Sequence, residues 1–525
     1  MIKRNPVYYV TGYDGDDPKE ASFYKRALVF DSNEGDFNAF LIKEFNSFLK
    51  KKKEMLQCGL VGECRPDEHL PVEIIIINAS HDDLPTSYET ARIFKDYCNR
   101  KGYDIKAIVV NTKEDLISKI NKTGEDKVLV VSQCVDKKVY NVDMAEKFEA
   151  RGIVVVPGKA TAPGSLFSDK AGTYKMLSDN GNDWSRVARY KKIDAENIKV
   201  EEVVGRIFDA IDLLEKEIGD RTFFVKPHEG GGGLGGFRIT KISKGYIIPD
   251  LSKVSGDISK IYPTFIDFDV SNKDKLRELL WIYRLFASDE KMTKNYLKIK
   301  LPVNGTDDEE AVLILKEYLV ESSKKRKEEL ARMQMTREDS AKCLVNAIKI
   351  FEDKFQRRYV PLVNEHIDFG LWGLRAHYRL SKNGPFLETM YHRIFQLGFT
   401  EHGLGYLGAD NISNKQTGDL EIARLGPVNE IMLASVGGKQ ALFNTLFKGA
   451  FALAALTELV PAKERAYVPL RLQLDLAVVS SRIGEGNADT ARGLCLASQW
   501  SQFVENAEEW LEDSLCYYSW KREHF

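Results

Sequence analysis

From Pro71 onward the chain alternates short, continuously apolar runs with longer stretches of helical period. The runs lie at 72–77, 105–110, 127–131 and 153–156, and the helical stretches at 87–101, 113–120 and 143–150. A run that is apolar at every position is buried on both faces, so this part is predicted to form a parallel sheet covered by helices on either side. None of its strands is followed by G-x-G-x-x-G, so the Rossmann-like unit lacks a dinucleotide fingerprint. Before it, residues 1–70 hold an amphipathic helix over about 37–55 that ends in Lys50-Lys51-Lys52-Lys53, where lysines favour the negative end of the helix dipole and read as a solvated end. After it, strands alternate with helices until about 252. From there to 358 the chain turns helical and charged, with Lys324-Lys325-Arg326-Lys327-Glu328-Glu329 inside one long helix running on to Phe355. Strand patterns resume at 359, so 252–358 reads as an insertion with a solvated, mixed-charge face.

Composition narrows the class. The 525 residues are 43% hydrophobic, and 76 basic against 78 acidic side chains leave a formal charge of −2. Such a chain can bury several cores, and at roughly 150 residues per domain it holds three or four units. The balance gives no electrostatic reason to bind nucleic acid or an anionic membrane. The longest apolar stretch, 451–460, contains Glu458 and is about half of the ~20 residues a bilayer crossing needs, so it reads as a buried helix. Apart from Cys58 and Cys64 the seven cysteines are dispersed in apolar stretches, which fits free thiols in a reducing cytosol. Lys3 and Arg4 lead into no signal-peptide core, so a cytoplasmic protein is expected. Cys58 and Cys64 lack the spacing of a zinc knuckle.

The chemistry concentrates in TFFVKPHEGGGGLGGFRITK, residues 222–241. A strand ends at Lys226, six glycines fall within seven positions (Gly230 to Gly233, Gly235, Gly236), and a second strand follows at once. A hairpin tip with almost no side chains lets backbone N–H groups approach phosphate oxygens while the lysine supplies fixed positive charge. It is not a Walker A loop, because the lysine precedes the glycines.

At these residues the chain resembles the ATP-grasp superfamily, whose glycine-rich hairpin of the type K-x-x-x-G-G-G-G-x-G covers the phosphates of ATP. Other segments occur in the same order. Phe167-Ser168-Asp169-Lys170, a helix over 171–180 and a strand over 186–193 are similar to the family's D-K helix and strand. The resemblance implies that Lys170 and Lys226 contact the α and β phosphates, with Glu229, Gly230, Gly231, Gly232, Gly233 and Gly235 forming the loop. YVPLVNEHI, 359–367, is similar to the hinge strand that recognises adenine through its backbone, although Asn364 stands where the family usually has Glu. By that likeness Glu365 and Ile367 would hold adenine and Asp368 the ribose.

Gly373-Leu374-Arg375 and Tyr391-His392-Arg393 follow on adjacent strands, and Arg375 and Arg393 would grip the γ phosphate and an acyl phosphate. The family's two Mg²⁺ ions sit on an acid and an E-x-N. Here a helix over 441–459 and a strand over 467–479 place Asp475 as the acid, with Gln473 on its face. Glu485-Gly486-Asn487 is a literal E-x-N inside a segment that reads as a turn. If it is only a turn, Gln499-Trp500-Ser501 on a strand starting at 493 takes that place without a carboxylate.

The resemblance covers roughly 71–251 and 357–515. It implies an α/β and α+β multidomain fold: an N-terminal extension (1–70), a Rossmann-like pre-ATP-grasp domain (71–165), a small lobe with the glycine loop (166–251), the helical insertion (252–358) and a large lobe (359–525). The activity it implies is an ATP-dependent, Mg²⁺-dependent ligase that activates a carboxylate as an acyl phosphate and joins it to an amine, both small molecules, and it suggests a homodimer. A phosphotransferase acting on a hydroxyl and a weakly catalytic nucleotide-binding scaffold are the competing readings.

Overall fold

The computed structural model describes residues 7–8, 28–29, 32–56, 69–78, 84–133, 138–159, 162, 170–179, 187–228, 235–248, 264–265, 268–287, 299, 301, 308–381, 384–395, 397–400, 403–406, 423–426, 428–457, 460–465, 467–488 and 500–525. The fold is a mixed α/β multidomain one, with one parallel sheet and several antiparallel sheets. A two-residue ladder of β1 (Val7–Tyr8) and β2 (Leu28–Val29) comes first, then helix α1 (Ser32–Lys52).

The parallel sheet forms where the apolar runs predict it. Its strands β3 (Glu73–Ile77), β4 (Lys106–Val110), β5 (Val128–Ser132) and β6 (Val154–Val156) stand in the order β4-β3-β5-β6. Helices α2 (Leu84–Lys101), α3 (Lys113–Thr123) and α4 (Val142–Ala150) cover it. Ile74 and Ile76 enter one core with Phe94, while Ile75 and Ile77 enter the opposite core with Leu116, Ile120 and Phe148. Both parities are buried, which is why the run shows no alternation. Thr112 and Asn141 start α3 and α4 by accepting the N–H of Asp115 and Met144, as short polar side chains do at helix N-termini.

The small lobe is built on a six-stranded antiparallel sheet in the order β12-β10-β9-β8-β13-β7. Its members are β7 (Tyr190–Lys192), β8 (Thr222–Pro227), β9 (Phe237–Ile242), β10 (Gly245–Ile247), β12 (Gln334–Met335) and β13 (Pro361–Glu365). Two boundaries drawn from sequence shift here. The single long helix expected to reach Phe355 is broken at β12 into α8 (Asp308–Arg332) and α9 (Arg337–Phe355), the second restarted by an N-cap at Thr336. Leu344, Ile348 and Phe351 of α9 share a core with Val204, Ile207 and Ile211 of α6 (Val200–Ile218), so 334–358 belongs to the small lobe. Strand β13, placed by sequence in the large lobe, hydrogen-bonds between β8 and β7. The other insertion helices, α7 (Lys273–Ala287) and α8, bury Leu279, Leu280, Ala311 and Leu315 in the large-lobe core. Beside them β11 (Thr264–Phe265), β16 (Leu397–Thr400) and β17 (Gly403–Tyr406) form a small sheet.

The large lobe carries a five-stranded antiparallel sheet in the order β18-β15-β14-β19-β20. Its strands are β14 (Trp372–Ser381), β15 (Gly384–Phe395), β18 (Ala423–Gly426), β19 (Arg471–Ala477) and β20 (Arg482–Ala488). Sequence alternation sets its two faces. Leu374, Ala376, Tyr378, Leu472, Leu474 and Leu476 are buried on the side of α11 (Gly438–Leu456), where the Tyr378 hydroxyl donates to Leu446 O at 2.7 Å. The leader helix α1 is part of this core, because Asn38 and Asn46 hydrogen-bond the β15 backbone and Phe45 meets Phe443 edge-on at 5.5 Å. The other parity is polar: Arg375, His377 and Arg379 on β14, in register with Asp475, Gln473 and Arg471 on β19. Helix α12 (Trp500–His524) covers one end of that polar face. Glu509 and Asp513 pair with Arg379, Arg471 lies 5.1 Å over Trp510, and Glu388 pairs with both arginines. The same helix reaches the first domain through Phe94 and Asp126. No helix among the described residues is long and apolar enough to cross a membrane.

Candidate active site

On the small-lobe side, β8 and β9 pair antiparallel with Val225 opposite Phe237, so 228–236 joins them as a hairpin. Glu229, Gly230, Gly231, Gly232 and Gly233 lie outside the described residues. Gly235 lies within them, with φ of +76° and an added Cβ only 2.8 Å from Phe351 and 2.9 Å from Pro227. Its carbonyl accepts from the Tyr359 hydroxyl at 2.6 Å. Glycine is required there by backbone conformation and close approach, and the residue anchors the base of the loop.

Lys226, next to that loop, is 8% exposed, and its Nζ donates to the hydroxyl of Tyr174 at 3.0 Å. Tyr174 stands on α5 (Lys170–Asp179), one turn after Lys170 and therefore on the same helix face. Its hydroxyl donates to Gly484 O of β20 at 2.7 Å and accepts from Asn364 Nδ2 at 3.3 Å. Among the described residues the amide oxygen of Asn364 is buried without a hydrogen-bond partner, which costs about 1–3 kcal/mol.

The hinge beside Asn364 departs from a regular ladder. Glu365 N–H donates to Arg189 O at 2.8 Å, but the Arg189 N–H goes to the Glu365 carboxylate at 3.1 Å instead of to its carbonyl. The β8 partner, Phe223, is a register position without mutual hydrogen bonds. Position 365 therefore presents a carbonyl acceptor and, two residues on, Ile367 presents an N–H with no acceptor among the described residues. Ile367 itself packs with Ala188 and Ala477. Asp368 is exposed, and its Oδ1 caps Gly370 N at 2.8 Å. The Glu365 carboxylate is gripped by both Nη atoms of Arg482 at the start of β20. Burial alone would raise its pKa, but Arg482 and the Arg189 N–H hold it below the ordinary glutamate value.

On the large-lobe side one row crosses three strands, with Arg375 opposite Asp475 and Asp475 opposite Glu485. Arg375 Nε and Nη2 grip the two carboxylate oxygens of Asp475 at 2.7 and 2.8 Å, a bidentate pair whose side chains are 19% and 20% exposed. Gln473, with its amide oxygen turned to the guanidinium, accepts from Nε and Nη1 at 3.2 Å, and the Tyr391 hydroxyl accepts as well. Desolvation lowers the arginine's pKa, but Asp475 and Tyr391 more than offset it, so the group stays charged.

The segment 482–488 is a strand, not a turn. Glu485 and Asn487 stand opposite Asp475 and Gln473, while Trp500 and Ser501 open α12, which removes Gln499-Trp500-Ser501 as a strand-borne substitute. The side chains of Glu485, Asn487 and Arg393 lie outside the described residues. In register, position 393 pairs with Gly373, diagonal to Arg375, whose own partner is Tyr391. Among the described residues no group of three or more His, Cys, Asp or Glu side chains forms a metal site. Sequence reasoning missed Tyr174 and Arg482. A tyrosine four residues after Lys170 is a faint signal, and nothing local marks Arg482.

No family model matches the chain, and no curated protein does. Solved structures do. It is similar to D-alanine–D-alanine ligase from Bacillus anthracis, at 10% identity and a TM-score of 0.43, over 87% of this chain and 99% of the other. It is similar to the D-cycloserine synthetase DcsG, at 11% identity and a TM-score of 0.39, over 84% and 99%. It is also similar to biotin carboxylase from Campylobacter jejuni, at 10% identity and a TM-score of 0.39, over 85% and 71%.

Proposed function

We propose that this chain is an ATP-dependent ligase of the ATP-grasp type, which phosphorylates a carboxylate with ATP and joins the resulting acyl phosphate to an amine. The observation that carries the reading is a convergence. Lys226 and the backbone carbonyl next to Glu485, far apart in sequence, meet on one hydroxyl at 3.0 and 2.7 Å. This brings the cation at the end of β8 to the strand that pairs beside Asp475, and a polyphosphate with its metal requires cations and carboxylate oxygens on neighbouring elements.

The hinge supports an adenine base. A carbonyl at 365 and an N–H at 367 match the amino group and ring nitrogen of adenine's edge, and the orphan oxygen of Asn364 gives a further acceptor. Lys170 and Lys226 would bind phosphate oxygens, with Glu229 and Gly230–Gly233 closing over them. Asp368 would bind the ribose through its second oxygen. Arg375 and Arg393 would hold the transferred phosphoryl group. Asp475, Glu485 and Asn487 would supply the oxygen donors a hard cation prefers, and Mg²⁺ held there would neutralise phosphate charge. Asp475 is paired with Arg375, so Asp475 would have to release the guanidinium to help hold Mg²⁺, and Arg375 would then be available to phosphate oxygens.

The test is product analysis with ATP and Mg²⁺ against panels of acids and amines. Release of ADP and phosphate only when an acid and an amine are both present supports the ligase. Turnover with an alcohol alone, with phosphate retained on the product, indicates the phosphotransferase. ATP binding without turnover on any panel indicates the scaffold.

A further inference from the structure

We propose that Tyr174 is a positioning residue that aims Lys226 at the nucleotide phosphates and ties that aim to the strand bearing Glu485. This rests on the ATP reading above. The polarity of its contacts is fixed by chemistry. A hydroxyl has one proton and two lone pairs, and the Gly484 carbonyl can only accept, so the proton is committed to β20. The lone pairs then face Lys226 Nζ and Asn364 Nδ2, atoms that can only donate. Tyr174 is 1% exposed and its ring is braced by Tyr190 at a centroid distance of 5.4 Å. The hydroxyl is thus held in place from three elements: α5, the small-lobe sheet and β20.

Two further features make the joint stiff. Next to it the small lobe touches β20 directly, through the bridge between Val187 and Ile483. At Gly484 an added Cβ would lie 2.2 Å from the Phe369 ring, so the β20 backbone has no room to drift toward the hinge. An ammonium on a flexible four-carbon stem loses much of its phosphate affinity when its direction is not set. Tyr174 sets it, and the same bond registers Glu485 against Asp475. The residue touches no reacting atom in this arrangement.

The experiment compares equilibrium binding of AMP and of ATP to the wild-type chain, Lys226→Ala and Tyr174→Phe. The Phe variant keeps the ring and removes only the hydroxyl. The expected result is AMP affinity within about twofold of wild type and ATP affinity reduced about tenfold, approaching Lys226→Ala, as for loss of one hydrogen bond to a charged group. A merely structural role would weaken both nucleotides alike. Unchanged ATP affinity in Tyr174→Phe, with Lys226→Ala impaired, overturns the proposal and leaves the ATP reading standing. Equal AMP and ATP affinities in the wild type, or no effect of Lys226→Ala, overturn the ATP reading and the proposal with it. A wild-type measurement covers the case in which Tyr174→Phe does not fold. ATP in EDTA engages the lysine but no metal, so it should slow amide exchange in both 170–179 and 482–488, whereas AMP should not. Protection of 170–179 without 482–488 overturns the coupling.

Discussion

Arg375 and Asp475 form a bidentate ion pair on the polar face of the large-lobe sheet, and a double-mutant cycle measures its strength. Two charge-assisted bonds of 2.7 and 2.8 Å join side chains that are about four-fifths buried. Exposed ion pairs couple by less than ~1 kcal/mol, and breaking a fully buried pair costs ~3–5 kcal/mol. This pair lies between those limits, so a coupling of about 2 kcal/mol is expected. Arg375→Met and Asp475→Asn would each strand a partly desolvated partner, and the double variant would lose less than their sum. The assay is hydrogen exchange at Ala376 and Leu474, register partners on β14 and β19, which reports local opening without requiring the whole chain to unfold in one step. A coupling below about 0.5 kcal/mol would refute the reasoning, since the pair would then behave like a surface one. The same series tests the metal proposal. Arg375→Met frees the Asp475 carboxylate, so Mg²⁺ alone should bind more tightly, while ATP alone should bind more weakly.

Three further outcomes are expected. Glu278 on α7 is 3% exposed, and burial lifts its pKa to about 7 against weaker opposing contributions from Ser435, Trp372 and Lys275. Its neutral form suits the fold, so its contribution is retained below the ordinary glutamate value and declines as pH rises toward 7. Glu278→Gln should leave the melting temperature nearly unchanged at pH 4.5 and raise it at pH 8, by at most about 3 kcal/mol in stability terms. An equal shift at both values would contradict this. Gly449→Ala on α11 gains about 1 kcal/mol of helix propensity, but the added carbon would meet the Tyr378 hydroxyl at 2.3 Å and the ring carbon bearing it at 2.4 Å. Net destabilisation of about 1–3 kcal/mol is expected in denaturant unfolding, since overpacking outweighs propensity. Removing residues 1–56 strips the large-lobe core of buried Leu41, Phe45 and Leu49, each worth about 1.5–3 kcal/mol. The truncated chain should aggregate or bind a hydrophobic dye, and a soluble, cooperatively melting product would show that the leader is dispensable.

Local pattern determined a good deal of this protein. Continuous apolar runs placed the parallel sheet to within about a residue at each end, because strands buried on both faces, as β3, β5 and β6 are, carry no alternation to misread. Strict alternation in WGLRAHYRLS and RLQLDLA put Arg375 and Asp475 on one face of one sheet. A lysine before a glycine run marked the hairpin. What sequence could not decide was which strands neighbour which, since hydrogen-bond partners in a sheet are set by long-range closure. Tertiary structure alone inserted β13 between β8 and β7, moved α9 into the small lobe and buried the leader helix under the large one. It also turned Glu485-Gly486-Asn487 from an apparent turn into a strand opposite Asp475, because glycine and polar residues read locally as a turn yet pair well beside an established partner. The joint at Tyr174 belongs to the same category. Its three hydrogen bonds span 310, 190 and 52 residues of chain, and no local pattern encodes a contact whose partners meet only after both lobes have closed on one another.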